Sequence, residues 1–225
     1  PEIESRCLHA VAILDAAIDD RLADFRKRAP DPEGLEGVSV IAVLQRAGAP
    51  DEEICANVKL VISGGQNEPR DAIAGAVWAL LENPDQLALL MEGSLGWDRA
   101  FDEYVRWMAP IGMSPRRIAR DAVIDGIEFP EGRRAFFMFS AANRDPLHFD
   151  KADIFDIRRS TKKHIAFGAG PHFCAGAFAS RALVAHVALP MIFDRLPSLR
   201  LDPDHPVSFG GWAFRGPLNL HVKWG

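Results

Sequence analysis

The sequence predicts a mainly α-helical protein with a small β region, and three observations carry that reading. Apolar residues recur at helical spacing from Ile3 to Met108, strand-like alternation is confined to segments beyond Pro115, and a glycine-rich loop around Cys174 opens directly into another run of helix formers. Hydrophobic residues make up 48% of the 225 and charged residues 25%, the proportions of an ordinary globular protein. With 26 basic and 31 acidic side chains the formal charge is -5, which gives no electrostatic case for a nucleic-acid partner. No run approaches the roughly 18 apolar residues that span a bilayer and no signal peptide is visible, so the expectation is a cytoplasmic protein without a membrane partner. Cys7, Cys55 and Cys174 are odd in number and widely spaced, which argues against a secreted disulfide framework. Cys7 and Cys55 are expected as core thiols.

Each element follows from local pattern. Ile3, Cys7, Val11, Leu14, Ile18, Leu22 and Phe25 form the stripe of an amphipathic helix from Ile3 to Arg28. Pro30 to Glu36 is a breaker-rich loop, and Val38 to Arg46 is a short second helix closed by Gly48 and Pro50. Asp51 is placed to cap a long helical pattern from Glu52 to Leu81. Gly64 and Gly65 weaken it and Pro69 lacks an N–H, so a kink or local unwinding is expected between Ser63 and Pro69. Pro84 starts a short helix through Met91, and Trp97 to Met108 forms another that stops before Pro110. Arg117 to Phe129 reads as one strand, Pro130-Glu131-Gly132 as a turn and Arg134 to Phe139 as the return strand. Ala141 to Lys163 is a long irregular stretch, and such loops inside compact domains tend to be functional. The helix after Cys174 is expected to bend at Pro190 and end near Leu196, with short strands from Leu199 to Trp224. Without repeats or a linker, residues 1–225 read as a single domain.

The chemistry concentrates in Phe167-Gly168-Ala169-Gly170-Pro171-His172-Phe173-Cys174-Ala175-Gly176. A cysteine just before a helix meets free N–H groups and the positive end of the helix dipole, which favour the thiolate. Gly168, Gly170 and Gly176 let the backbone approach a large planar ligand and take positive φ where needed, and Phe167 is placed to pack on that ligand. A zinc site drawn from Cys174, His172, His164 and His148 is the weaker alternative, because the sequence has no CxxC or HxxxH pair. Glu103 and Arg106 stand at i and i+3, so they project from one helix face and can pair.

The order Phe-Gly-x-Gly-x-His-x-Cys-x-Gly resembles the haem-binding signature of the cytochrome P450 family, in which the cysteine thiolate is the proximal ligand of haem iron. The resemblance runs from the Ile3 helix to Gly216-Pro217-Leu218-Asn219-Leu220 and corresponds to the C-terminal half of a family member. It implies the C-terminal half of that fold, haem b as cofactor and Cys174 as the iron ligand. The chain begins at Pro1, and an N-terminal half is expected to be missing through truncation or proteolysis, or to be supplied in a swapped dimer. The resemblance gives Glu103 and Arg106 a structural role, locked by a second arginine for which Arg144 is the choice and Arg159 the alternative. It gives His172 and Arg116 the haem propionates, with His164 assisting; Arg117, one position away from Arg116, is not separated from it by spacing.

One departure from the family stands out. Where members carry Ala-Gly-x-acid-Thr, this sequence reads Gly64-Gly65-Gln66-Asn67-Glu68. Gly64 and Gly65 still permit close ligand approach. Asn67 replaces the acid and Glu68 the alcohol, so the usual proton relay is absent, and Glu68 stands as either a general acid–base or a solvent-facing helix residue. The implied function is a monooxygenase that inserts one oxygen atom from dioxygen into a small organic substrate, with electrons from a ferredoxin or flavodoxin. Ile111, Gly112, Met113 and Phe209 to Trp212 are candidate pocket residues. The alternatives are a peroxygenase using hydrogen peroxide and a non-catalytic haem-binding remnant.

Overall fold

A computed structural model describes residues 2–27, 38–160 and 164–225, so the expected loop Pro30 to Glu36 and the last residues of the irregular stretch lie outside the described residues. The chain divides between Gln66 and Asn67 into two compact units.

In the first unit, α1 (Glu2–Lys27), α2 (Val40–Arg46) and α3 (Asp51–Gly64) surround a small cluster of Ile18, Leu22 and Ile54. Only the C-terminal half of the α1 stripe is buried, and Ile3, Cys7 and Val11 are exposed. Cys7 is therefore a surface thiol rather than a core one, because it sits on the part of α1 that no described helix of this unit covers. Cys55 is half-buried against the cluster. Ser39 caps α2 by accepting a hydrogen bond from the Ala42 N–H at 3.2 Å, and Lys59 reaches Asp15 at 2.7 Å to join α3 to α1. The long helical pattern breaks where the glycines predict: α3 ends at Gly64, and Gly65 follows it as C-cap.

The second unit opens with α4 (Asn67–Glu82). The break puts Pro69 in the first turn of α4, where its missing N–H has no partner to lose. Asn83 and Pro84 lead into α5 (Pro84–Met91), and α6 (Trp97–Met108) ends on Ala109 in the left-handed region. Strand β1 (Ser114–Arg117) pairs antiparallel with β4 (Arg134–Phe137). Between them the expected single strand is two, β2 (Ala122–Ile124) and β3 (Ile127–Phe129), joined by a hairpin. Asp125 and Gly126, both at positive φ, make that turn, and an Asp-Gly pair between apolar residues is the hairpin signal that the alternating pattern concealed. The short α7 (Phe139–Ala142) follows.

After the Cys174 loop, α8 (Ala177–Leu183) passes through a π turn at Val184–Ala188 into α9 (Leu189–Arg195). Pro190 would clash with the His186 carbonyl in a regular helix, and the wider turn, closed by Leu189 N–H to Val184 O, accommodates it. The run Ala177–Arg195 has 19 residues and mean hydropathy 1.3, enough by length and composition to cross a membrane, which the sequence reading did not expect of any segment. A core helix passes the same test, and Val184, Ala185 and Leu189 are fully buried in this unit. The ribbons β5 (Arg200–Leu201) with β8 (Val222–Lys223) and β6 (Phe209–Gly210) with β7 (Gly216–Pro217) close the chain.

The core of the second unit is built by α4, α6 and the helix from α8 to α9. Gly75 lets α4 and α6 approach, since a Cβ there would lie 1.6 Å from the Tyr104 hydroxyl. Trp78 of α4 stacks on Trp107 of α6 at 5.7 Å and meets Phe209 edge-on at 4.6 Å, which ties the terminal ribbon to the helices.

Candidate functional site

Cys174 is an exposed, free thiol three residues before α8. Its loop is held by the backbone: the Cys174 N–H donates to Phe167 O at 2.9 Å, and the Phe173 N–H to Gly170 O at 3.0 Å around a 3-10 turn at Gly170–His172. Gly168 at φ +71 and Gly170 at φ +66 take conformations closed to most side chains. Beside the thiol, Gly176 adjoins the sulfur: a Cβ there would stand 3.8 Å from Cys174 Sγ, in ordinary van der Waals contact. Phe167 anchors the loop between Phe101 of α6 at 6.1 Å and Phe173 at 6.5 Å, while Phe173 and Phe178 are themselves exposed. An accessible sulfur, a side-chain-free rim and exposed aromatic faces fit a large apolar ligand of the haem type.

Beneath the loop lies a buried ion-pair network. Glu103 and Arg106 are both fully buried, and Arg106 donates from Nε to Glu103 Oε2 at 2.7 Å and from Nη2 to Oε1 at 2.8 Å. The guanidinium also donates to the carbonyls of Asn143, Ala152 and Ile154. Glu103 accepts in addition from the Asp156 N–H at 2.9 Å and from Arg159 Nε at 3.3 Å. The second arginine on Glu103 is thus Arg159 and not Arg144. Arg144 turns instead to the end of α6, donating to Trp107 O at 2.8 Å, reaching Asp153 at 3.1 Å and lying over the Trp107 ring. The partial negative charge of a helix C-terminus favours that placement.

The remaining predicted residues divide. His164 is brought to the loop: it lies 5.9 Å from the Phe167 ring, and its Nδ1 accepts from the Ala166 N–H, which leaves the proton of the neutral ring on Nε2, 4.0 Å from Asp102. Burial pushes the His164 imidazole below its ordinary pKa, against the pull of Asp102 and with help from Arg181 and Arg106. His172 is exposed on the 3-10 turn. Arg116 is exposed on β1, where it donates to Ser114 Oγ and Pro115 O and lies over Phe137. The register puts Arg116 opposite Ala135, and Arg117 opposite Arg134 on the other face of the ribbon, so the two arginines that spacing could not separate point to opposite sides. Asn67 is exposed at the start of α4, and Glu68 is half-buried with Oε2 enclosed and unpartnered. Gly64 and Gly65 end α3 in the first unit. Among the described residues no group of three His, Cys, Asp or Glu side chains is arranged to hold a metal ion, so the zinc alternative has no cluster there.

Two contributors escaped sequence reasoning. Arg181 of α8 donates to Asp102 of α6 at 2.7 and 3.2 Å and stands over the Phe167 ring, fixing the helix that leaves the loop. The pair is 79 residues apart, so no local pattern announces it. Asn143, fully buried, was passed over in favour of its neighbour Arg144.

Comparison with known proteins agrees with this architecture. The Cytochrome P450 family profile matches residues 97–191, the span that holds α6, the ion-pair network and the Cys174 loop. Over 200 residues the chain is 32% identical to the cytochrome P450 monooxygenase PikC of Streptomyces venezuelae, covering 85% of this chain and 48% of that protein. It is 32% identical over 198 residues to the steroid C26-monooxygenase of Mycolicibacterium smegmatis, covering 88% and 49%. Among solved structures, P450BioI in complex with an acyl carrier protein ligated to hexadec-9Z-enoic acid superposes with a TM-score of 0.82 at 30% identity, over 97% of this chain and 54% of that one. CalO2 superposes with a TM-score of 0.88 at 26% identity, over 100% and 56%. The chain belongs to the cytochrome P450 family. It spans about half the length of the curated relatives it matches.

Proposed function

We propose that this chain is the haem-binding part of a haem-thiolate monooxygenase that inserts one oxygen atom from dioxygen into a small organic substrate in the cytoplasm, with a ferredoxin or flavodoxin as electron donor. The observation that carries the reading is the Cys174 loop, with its positive-φ glycines and free, exposed sulfur, tied through Ile165 and Asn143 to the buried Glu103–Arg106 pair. Haem b, when bound, supplies the redox chemistry. The chain's own residues bind and orient. Cys174 would hold the iron as thiolate; His172 and Arg116 would meet the propionates, with His164 assisting; Phe167, Gly168 and Gly176 would line the ring. Ile111 bridges to Phe214 and the Gly112 N–H donates to Ala213 O at 2.8 Å, which ties the segment from Ile111 to Met113 to the residues that follow Phe209 to Trp212 and supports both segments as candidates to line an apolar substrate pocket.

A second reading, a peroxygenase, is favoured by Glu68. Its enclosed, unpartnered Oε2 begins α4 where the usual acid and alcohol are replaced by Asn67 and Glu68, and a carboxylate so placed can hold and move a proton. Turnover of a small apolar substrate panel with a ferredoxin and its reductase, in parallel with hydrogen peroxide alone, tests both. Activity with the reductase supports the monooxygenase; activity confined to peroxide transfers the assignment to the peroxygenase. A haem-loaded protein with neither activity and no substrate-induced spectral shift is a non-catalytic haem-binding remnant.

A further inference from the structure

We infer that Asn143 is a positioning residue for Cys174, the buried joint through which the ion-pair network fixes the cysteine loop; the inference rests on the haem-thiolate reading above. Asn143 is fully buried. Its backbone carbonyl accepts from Arg106 Nη1 at 2.7 Å, and its side-chain Oδ1 accepts from the Ile165 N–H at 2.8 Å. From Ile165 the path continues along the chain, with the Gly168 N–H donating to Ile165 O at 2.9 Å and the Cys174 N–H donating to Phe167 O at 2.9 Å. One residue therefore receives the guanidinium from below and the first strut of the cysteine loop from above.

The choice of side chain points the same way. Asn143 Nδ2 is buried with no partner, a cost that an apolar residue of similar size would avoid. A leucine could fill the space but could not accept the Ile165 N–H, which would then be orphaned on the segment that leads into the loop. Among the described residues, the only other side chain that bonds to the backbone of 165–176 is the His164 ring, which accepts from Ala166 within its own turn. The orientation of the Cys174 sulfur thus depends on an oxygen contributed by a residue 31 positions upstream in the sequence.

Hydrogen exchange of individual amides in the 225-residue protein, without haem and after loading with hemin, tests this. Asn143→Ala should raise exchange at Ile165, Gly168 and Cys174 about fivefold, the factor carried by one hydrogen bond of average strength. Exchange in α6 should stay at the parent level, and the thiolate-type band of the ferrous carbonyl complex should convert in part to the thiol type. Asn143→Asp keeps the acceptor and should restore slow exchange at Ile165, a rescue that a mere space-filling role does not predict. Equal loop exchange in parent and Asn143→Ala, or an Ile165 amide in the parent that exchanges as fast as unbonded loop amides, overturns the inference without needing any variant to be stable. A parent that loads hemin without a thiolate band overturns the haem-thiolate reading, and the haem-free exchange still decides the role of Asn143.

Discussion

Removing the Glu103 side chain should cost this protein a large fraction of its stability. Arg106 is 0% exposed and makes five hydrogen bonds, two of them to Glu103. Glu103→Ala keeps the three bonds to carbonyls and leaves a full positive charge in the core without the carboxylate it is hydrogen-bonded to. Truncating one member of a buried pair in this way costs about 3–5 kcal/mol. The Asp156 N–H and Arg159 Nε lose their acceptor as well, which pushes the figure to the upper end. Against a total stability of roughly 5–15 kcal/mol for a domain, that is a large fraction. Urea unfolding followed by tryptophan fluorescence should show the midpoint collapsing, with haem retention falling in parallel. Glu103→Gln, which keeps an acceptor for Arg106 and removes only the charge, should lie between alanine and parent. A variant Glu103→Ala with a parental midpoint and full haem content would refute the argument that the pair holds the core.

Three further outcomes follow from the geometry. Gly75→Ala drives a Cβ to 1.6 Å from the Tyr104 hydroxyl on the α4–α6 contact, so its stability, read from a lowered thermal midpoint, should fall by more than the few tenths of a kcal/mol typical of a surface change. His164 has a folded-state pKa below its unfolded value of about 6.5. The unfolded chain then binds more protons below that pH, so stability should fall as pH drops through about 6.5 toward the lower folded value, and His164→Gln should flatten that slope in unfolding curves. Glu68→Gln should lower peroxide-supported turnover by roughly 10²–10⁴-fold with haem content unchanged, and equal rates would return Glu68 to an ordinary helix residue.

Much of this was legible in the sequence because the strongest signals are local. The Cys174 loop, the Glu103–Arg106 spacing and the break after Gly64 are each written within a few residues, and periodicity marks α5 and α6 at their observed ends. What was misread depends on distance or on competing patterns. Arg144 adjoins a motif and looked like the partner of Glu103, yet the fold of 150–159 returns Arg159 there instead. The Asp125-Gly126 turn was hidden inside an alternating run whose outer residues pair with different strands. The apolar stripe at the start of α1 is as regular as the part that is buried, and periodicity alone does not say which half finds a neighbour. The Arg181–Asp102 and Asn143–Ile165 links join segments 79 and 22 residues apart, and only the folded chain brings them together.

The central claim is that Cys174 is the axial thiolate of a bound haem. The ferrous carbonyl spectrum of the hemin-loaded protein and of Cys174→Ser measures it most directly. The account predicts a strongly red-shifted Soret band in the parent and its complete loss in the variant. A parent without that band, or a variant that keeps it, would contradict the claim.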